Sequence, residues 1–442
     1  MSYLRKNKNN IASICILAIP VVIENILQTF LGTVDTYFAG RINDSAIAAI
    51  GVTNLIVNVF ITFFTAISIG TSAILARNFG KKDFDKVNSV IKQSIILAGI
   101  IGLIIGLINF IFYKQILMIS GVSDKVLSYA TPYYIIVVVP SVVLSLSLIL
   151  SSCLRATKDT KTPMIATGIA NILNVLLNFI FINIGMGIVG IALATTVSRI
   201  MNVVILIVKL KKNKNGVNIQ LKKWSIEKET IKSIVKIGIP AGIEKLIMRL
   251  GQIVYNGMII SIGISAYVAH NVAGNIESYS YIPAMGFGVA TTTLIGITLG
   301  ENNVKKSNEM VFVSYVMTTI LMVSIGIIFF IFAPQLASIF TNTKEVQEMV
   351  IRVLRLIALF QPFAAITQIF TSALQGAGDT KFPMYSTLIG IWGIRVGIGY
   401  LFGVSLGFGL VGVWMAYVID ITIRGILLLK RFLNGKWKKI VI

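Results

Sequence analysis

Apolar residues dominate this chain in long blocks separated by short polar connections. Twelve blocks are near or above the roughly 20 residues that a helix needs to cross a bilayer. Their cores lie near 11–38, 47–76, 90–112, 128–153, 162–184, 188–208, 231–262, 268–298, 310–332, 347–374, 382–403 and 410–430. None alternates like a barrel strand, and in lipid only helices or closed barrels satisfy their own backbone. The pattern predicts an all-α membrane protein of twelve transmembrane helices. The first block outruns the roughly 7–15 apolar residues of a signal-peptide core and has no small-residue cleavage site after it, so it reads as a retained span.

Composition agrees. Hydrophobic residues make up 56% of the 442 residues and charged residues 13%, against about 45–50% and about 25% in soluble chains. A soluble enzyme, a disordered protein and a disulfide scaffold are excluded. The two cysteines, Cys15 and Cys153, read as small packing residues. The formal charge of +22 from 39 basic and 17 acidic residues changes the picture only once it is placed. Assigning alternate connections to opposite sides leaves Arg41, Lys114, Lys125 and Lys344 on one side. Most other cations, including Arg5, Lys6 and those between Lys209 and Lys236, fall on the other side with both termini. This positive-inside bias places both termini in the cytoplasm.

The one long polar connection divides the chain into an N-lobe (1–208), a linker (209–230) and a C-lobe (231–442). The lobes are repeats. Ile19-Pro20 matches Ile239-Pro240, Glu24 matches Glu244, Gly80 matches Gly300, and Asp159-Thr160-Lys161 matches Asp379-Thr380-Lys381. Each offset is 220 residues, so one constant offset is expected. Six spans per lobe make the repeats parallel, around a central cleft. Gly102 and Gly106, and Gly399, Gly403 and Gly407, have the spacing of close helix packing. Pro20, Pro140, Pro240 and Pro283 lie inside spans and bend them.

Duplication also supplies a functional test. A polar residue present in one repeat alone serves something other than the shared fold. At the constant offset Asp35 faces Tyr255, Asn174 and Asn178 face Ile394 and Ile398, and Thr196 faces Ala416. At 1.5 Å per residue, Asp35, Asn178 and Thr196 lie roughly 7, 10 and 13 Å from the outer surface. A carboxylate, two amides and a hydroxyl at similar depth suit a hard cation or a proton. Tyr37, Glu24, Glu244, Tyr255, Glu277 and Arg395 are the candidates for a substrate cavity. Glu24 and Glu244 are repeated, which leans structural. Asp420 and Arg424 stand four apart and pair. The single His270 reads as structural. With no P-loop and no catalytic cluster, the chain is not expected to be an enzyme, and energy must come from an ion gradient.

The Val-Asp-Thr-Tyr-Phe-Ala-Gly run at 34–40, the Ile-Pro openings and the twin Asp-Thr-Lys-x-Pro loops resemble the multidrug and toxic compound extrusion (MATE) family over nearly the whole chain. The resemblance implies an antiporter that uses Na⁺ or H⁺ entry to expel amphipathic, often cationic, organic compounds. It implies a cation site at Asp35, Asn174 and Thr196, with Asn178 where a second aspartate is common. A branch of the family carries C-lobe acids on helices seven and ten. The matching positions here are Met248 and Ala364, so no site of that type is expected. No cofactor beyond the coupling ion is expected. The expected partners are a small organic substrate and membrane lipids, not nucleic acid, with the chain a monomer in the cytoplasmic membrane. A lipid-linked oligosaccharide flippase of the same fold is the alternative.

Overall fold

The computed structural model describes residues 7–211 and 225–440, which are helical almost throughout. Arg5, Lys6 and most of the 209–230 connection lie outside the described residues. The first repeat comprises α1 (Lys8–Gly40), α2 (Asp44–Gly80), α3 (Phe84–Ile119), α4 (Asp124–Val138), α5 (Ser141–Ala156), α6 (Lys161–Asn183) and α7 (Gly187–Lys211). The second comprises α8 (Lys228–Ile262), α9 (Ile264–Gly300), α10 (Val304–Ile331), α11 (Ala333–Phe340), α12 (Lys344–Gly376), α13 (Lys381–Leu388) and α14 (Gly409–Leu433). Between α13 and α14 the chain winds through π-helical turns at Ile389–Ile398 and Leu401–Ser405.

Among the described residues, ten helices are long and apolar enough to cross a membrane, and α4 with α5 forms one broken span bent by 47°. The seventh expected span, α8, is a continuous helix of 35 residues. Its Lys232, Lys236, Glu244, Lys245 and Arg249 make it less apolar than the rest. All twelve apolar blocks are therefore helical. Short side chains start several of them. Asn43, Asp83 and Asn303 accept a hydrogen bond from the backbone three residues on, as N-caps do. Pro163 and Pro383 lie in the first turns of α6 and α13, where proline costs no hydrogen bond. Pro140 breaks the fourth span, whereas Pro20, Pro240 and Pro283 sit inside continuous helices.

The repeats are legible in the backbone. Lys82 and Asn302 share a positive φ, as do Lys158 and Gly378. Helical geometry fails at Phe112 and, 220 residues on, at Phe332. The constant offset does not hold to the end. Gly185 and Gly187 match Gly407 and Gly409 in φ, an offset of 222. The cause is the eleventh span. Lys381–Ser405 has 25 residues where α6 has 23, and the π-helical turns absorb the two extra. The counterpart of Thr196 is consequently Val418 rather than Ala416, and that of Thr195 is Tyr417. Gly407 serves this turn and packs against nothing, unlike Gly102 and Gly106, which lie against α5 and the Pro140 break.

Contacts group Ile23–Gly238 into one compact unit, and residues up to Val22 with Ile239–Ile442 into another. Helices α1 and α8 thus each contribute to both units, across the expected lobe boundaries. Small residues explain the grouping. A Cβ on Gly238 would lie 2.8 Å from the Ala66 carbonyl oxygen on α2, and one on Gly286 would lie 3.1 Å from that of Ala18 on α1. These contacts are equivalent under the 220-residue offset, with glycine and alanine exchanged. The core of the first unit gathers Phe38, Ile50, Leu117, Tyr133, Tyr134 and Ile191. The second gathers Ile259, Ile276, Leu354, Trp414 and Ile421. Cys15 and Cys153 are free thiols.

Candidate functional site

Asp35 lies in the C-terminal half of α1, 2% exposed. Its Oδ1 accepts from the amide nitrogens of Asn174 at 3.2 Å and Asn178 at 3.1 Å, both on α6. Its Oδ2 accepts from Thr195 Oγ1 on α7 at 2.6 Å and from the Tyr133 hydroxyl on α4 at 3.4 Å. Asn178 donates in addition to Asn174 Oδ1 at 3.1 Å. The spacing explains the convergence, because residues 174 and 178 stand one turn apart on one helix face. Among the described residues, no arginine or lysine forms an ion pair with Asp35. Each of these hydrogen bonds to the buried carboxyl comes from a neutral donor.

The oxygen inventory fits a hard cation. Besides the carboxylate, the Asn174 and Asn178 amides, the Thr195 hydroxyl and the Tyr133 hydroxyl converge. Asn178 Oδ1 is buried and has no hydrogen-bond partner. Such an unmet acceptor is costly unless something donates to it or binds it.

The structure brings together Asp35, Asn174 and Asn178 as expected, but not Thr196. Thr196 Oγ1 donates to the Ile136 carbonyl oxygen at 2.8 Å. Successive helical residues point about 100° apart, so Thr195 and Thr196 face different neighbours, and Thr195 takes the place beside Asp35. Tyr133 and Arg199 also escape the sequence reading. Arg199 stands one turn beyond Thr195 within electrostatic reach of Asp35 and Tyr133, with a buried, unpaired Nη1. Both were detectable by the repeat test, since their counterparts are Val353 and Ile421.

Of the candidate substrate residues, Glu24 and Tyr37 belong to one compact unit, and Glu244, Tyr255, Glu277 and Arg395 to the other. Glu24 is fully buried and pairs with Arg155 on α5 at 3.1 Å. Its repeat mate Glu244 accepts instead from Gln375 Nε2 at 3.0 Å and Thr387 Oγ1 at 3.4 Å. Arg155 and Gln375 are themselves repeat mates, so the acids match while their partners differ. Tyr255 donates to the Val413 carbonyl oxygen at 2.9 Å. Arg395 makes two hydrogen bonds to Asp420 Oδ2, at 3.0 and 2.6 Å, and Arg424 adds a third at 3.0 Å. Glu277 accepts from the Tyr417 hydroxyl at 2.7 Å. Tyr37 is 59% exposed and carries the Arg41 guanidinium on its hydroxyl and ring. With Thr29, Gly32, Thr33 and Thr36 it lines an open depression of about 500 Å³ along α1. His270 meets Asn256 at 3.2 Å and packs against Tyr255 and Trp414.

The model of the MatE family matches residues 20–180 and again 240–401, one match per repeat and most of the chain in all. The chain belongs to the MatE family. It is a membrane transporter, not an enzyme. This MatE protein is 32% identical over 434 residues to a probable multidrug resistance protein NorM of Thermotoga maritima, covering 96% of this chain and 92% of the relative. It is 26% identical to the multidrug export protein MepA of Staphylococcus aureus, covering 91% and 89%. Among solved structures it resembles a MATE transporter crystallised in a bent conformation, with a TM-score of 0.92 and 25% identity over 97% and 96% of the two chains. Both of these relatives are named for multidrug resistance or export. The two family matches begin at Pro20 and Pro240, the same 220-residue step that the sequence shows.

Proposed function

We propose that this MatE protein is a cation-coupled antiporter that exports amphipathic, cationic organic compounds across the cytoplasmic membrane, with both termini in the cytoplasm. The observation that carries this reading is Asp35, a buried carboxylate surrounded by amide and hydroxyl groups and without an ion pair among the described residues. Na⁺ or H⁺ would discharge it. For Na⁺ the Asn174 and Asn178 amides would rotate to present oxygen, and the unmet Asn178 Oδ1 is already available. For H⁺ the existing donors would rearrange around a neutral acid.

Coupling requires the ion and the substrate to favour different states of the transporter. The chain passes between its compact units next to Val22 and Ile239, each within two residues of an intrahelical proline, Pro20 or Pro240. Those positions suit hinges. In one unit the threonine-lined face of α1 with Tyr37 suits an apolar, cationic substrate; in the other, Glu244 and Glu277, which have no ion pair among the described residues, suit a positive charge.

The test is efflux from vesicles under an imposed Na⁺ gradient and, separately, an imposed pH gradient. One of the two is expected to drive wild-type efflux. Asp35→Asn is expected to reach the membrane at the wild-type level and to lose coupled efflux. Wild-type efflux by that variant overturns the reading.

A further inference from the structure

Buried acids divide by their partners. Glu24, Asp379 and Asp420 are ion-paired, to Arg155, Arg431 and two arginines respectively. Asp35, Glu244 and Glu277 have no ion pair among the described residues. A paired acid has its charge compensated within the fold. An unpaired one is where a transporter exchanges charge with its surroundings.

Glu277 stands out by its relation to Asp35. Its Oε1 accepts from the Tyr417 hydroxyl at 2.7 Å. Under the 222-residue offset of the last span, Tyr417 is the repeat mate of Thr195, whose hydroxyl donates to Asp35 at 2.6 Å. One position in the last helix of each repeat therefore offers a hydroxyl to a buried acid. The acid itself comes from different helices, α1 for Asp35 and α9 for Glu277. The repeat mate of Glu277 is Val57, so the acid is not part of the shared fold.

The surroundings support a change of charge. The Tyr417 hydroxyl also meets that of Tyr281 at 3.0 Å, with either as donor. While Glu277 is ionised the donors run from Tyr281 to Tyr417 to Glu277. When Glu277 carries a proton its own O–H can donate to Tyr417, and the chain reverses without moving a heavy atom. The Arg395 guanidinium lies 4.3 Å from the centre of the Tyr417 ring. Arg395 and Arg424 share the single charge of Asp420, so ionised Glu277 balances the cluster and protonated Glu277 leaves one excess positive charge. Neither Glu277, Asp420 nor Arg424 has a charged repeat mate, those being Val57, Ser198 and Asn202. Tyr255 faces the same cluster from α8, and His270 lies two turns back along α9. Tyr315 of α10 packs against the same core. On α12, Arg352 is engaged with Glu348 and Arg355 with Phe330.

We propose that Glu277 is a second proton-carrying group, in the unit that does not contain Asp35, and that it takes up and releases a proton through the Tyr417–Tyr281 hydroxyl pair. On uptake, water gives a proton to the Tyr281 oxygen as Tyr281 passes its own to Tyr417 and Tyr417 passes its own to Glu277, so each tyrosine ends with one O–H and the net change is one O–H bond at the Glu277 carboxyl; release runs in reverse. The assignment extends the antiporter reading but is tested without transport.

The experiment is infrared difference spectroscopy of the full chain in lipid nanodiscs, free of Na⁺, between about pH 4 and about pH 10, a range wide enough for shifted buried carboxyls. Glu277→Gln is expected to remove one protonated-carboxyl C=O band that Asp35→Asn leaves in place. Tyr417→Phe is expected to keep that band and displace its frequency, because the protonated carboxyl loses the hydroxyl to which its O–H donates. A purely structural acid would show neither change. An unaltered set of bands in Glu277→Gln overturns the proposal. If that variant does not yield a monodisperse protein, an unaltered set of bands in Tyr417→Phe overturns it instead. The Asp35→Asn spectrum reports on Asp35 alone, so failure at either acid is separable from failure at the other.

Discussion

Thr195, not its neighbour Thr196, donates a 2.6 Å hydrogen bond to Asp35, while Thr196 ties α7 to the backbone of α4 at Ile136. The two hydroxyls are adjacent in sequence and separate in role. A hydrogen bond to a charged group is worth about 1.5–3 kcal/mol, which corresponds to roughly tenfold or more in an equilibrium. Thr195→Ala is expected to lower coupled efflux by about tenfold, and Thr196→Ala to leave its cation dependence unchanged. Efflux rates measured against the concentration of the driving ion separate the two.

The Glu24–Arg155 pair makes a prediction about stability. Glu24 is fully buried and Arg155 nearly so. Removing one member of a buried pair costs about 3–5 kcal/mol, because the other charge is left uncompensated. Arg155→Ala is expected to lower the unfolding temperature in detergent sharply. Glu24→Gln combined with Arg155→Gln leaves an amide pair and no stranded charge, and is expected to recover most of the loss. Equal destabilisation in the single and double variants would show that the charge is not the cause.

Gly390 allows Asp420 to reach its arginines. A Cβ at that position would overlap Asp420 Oδ1. Gly390→Ala is expected to push the carboxylate off Arg395 and Arg424 and to cost more than the about 1 kcal/mol typical of a point substitution. Thermal unfolding of Gly390→Ala beside Gly393→Ala checks this, since nothing crowds Gly393.

The hinge reading of Pro20 and Pro240 predicts a split between binding and turnover. Pro240→Ala is expected to bind a fluorescent cationic dye with an affinity within about threefold of wild type, about 0.7 kcal/mol, and to transport it more slowly. Equilibrium binding by anisotropy and efflux from vesicles measure the two quantities. Loss of both together would place Pro240 in the binding surface instead.

Much of the molecule was readable along the chain. Twelve helical blocks follow from apolar length, because lipid admits no other backbone solution for such segments. The duplication follows from recurring pairs such as Ile19-Pro20 and Ile239-Pro240. Asp35, Asn174 and Asn178 were found because a buried polar residue without a repeat mate stands out in an apolar helix. Thr195 was missed for Thr196 because a one-residue step turns a side chain about 100° around the helix, and a composition pattern does not resolve that rotation. Tyr133 and Arg199 carry the same repeat signal, their counterparts being Val353 and Ile421, but that signal alone does not say that they face Asp35.

The sequence by itself determined the class of fold, the repeat and the family, since each depends on apolar length or on residues compared at a nearly fixed separation. Only the tertiary structure decided which acids are already neutralised. Glu24 and Glu244 match in sequence, and Arg155 beside one and Gln375 beside the other make them different. The two extra residues wound into π-helical turns shift the repeat offset from 220 to 222, and that shift makes Thr195 and Tyr417 equivalent. Electrostatic compensation depends on separations of a few ångströms between helices far apart in the chain, and those distances exist only in the folded molecule.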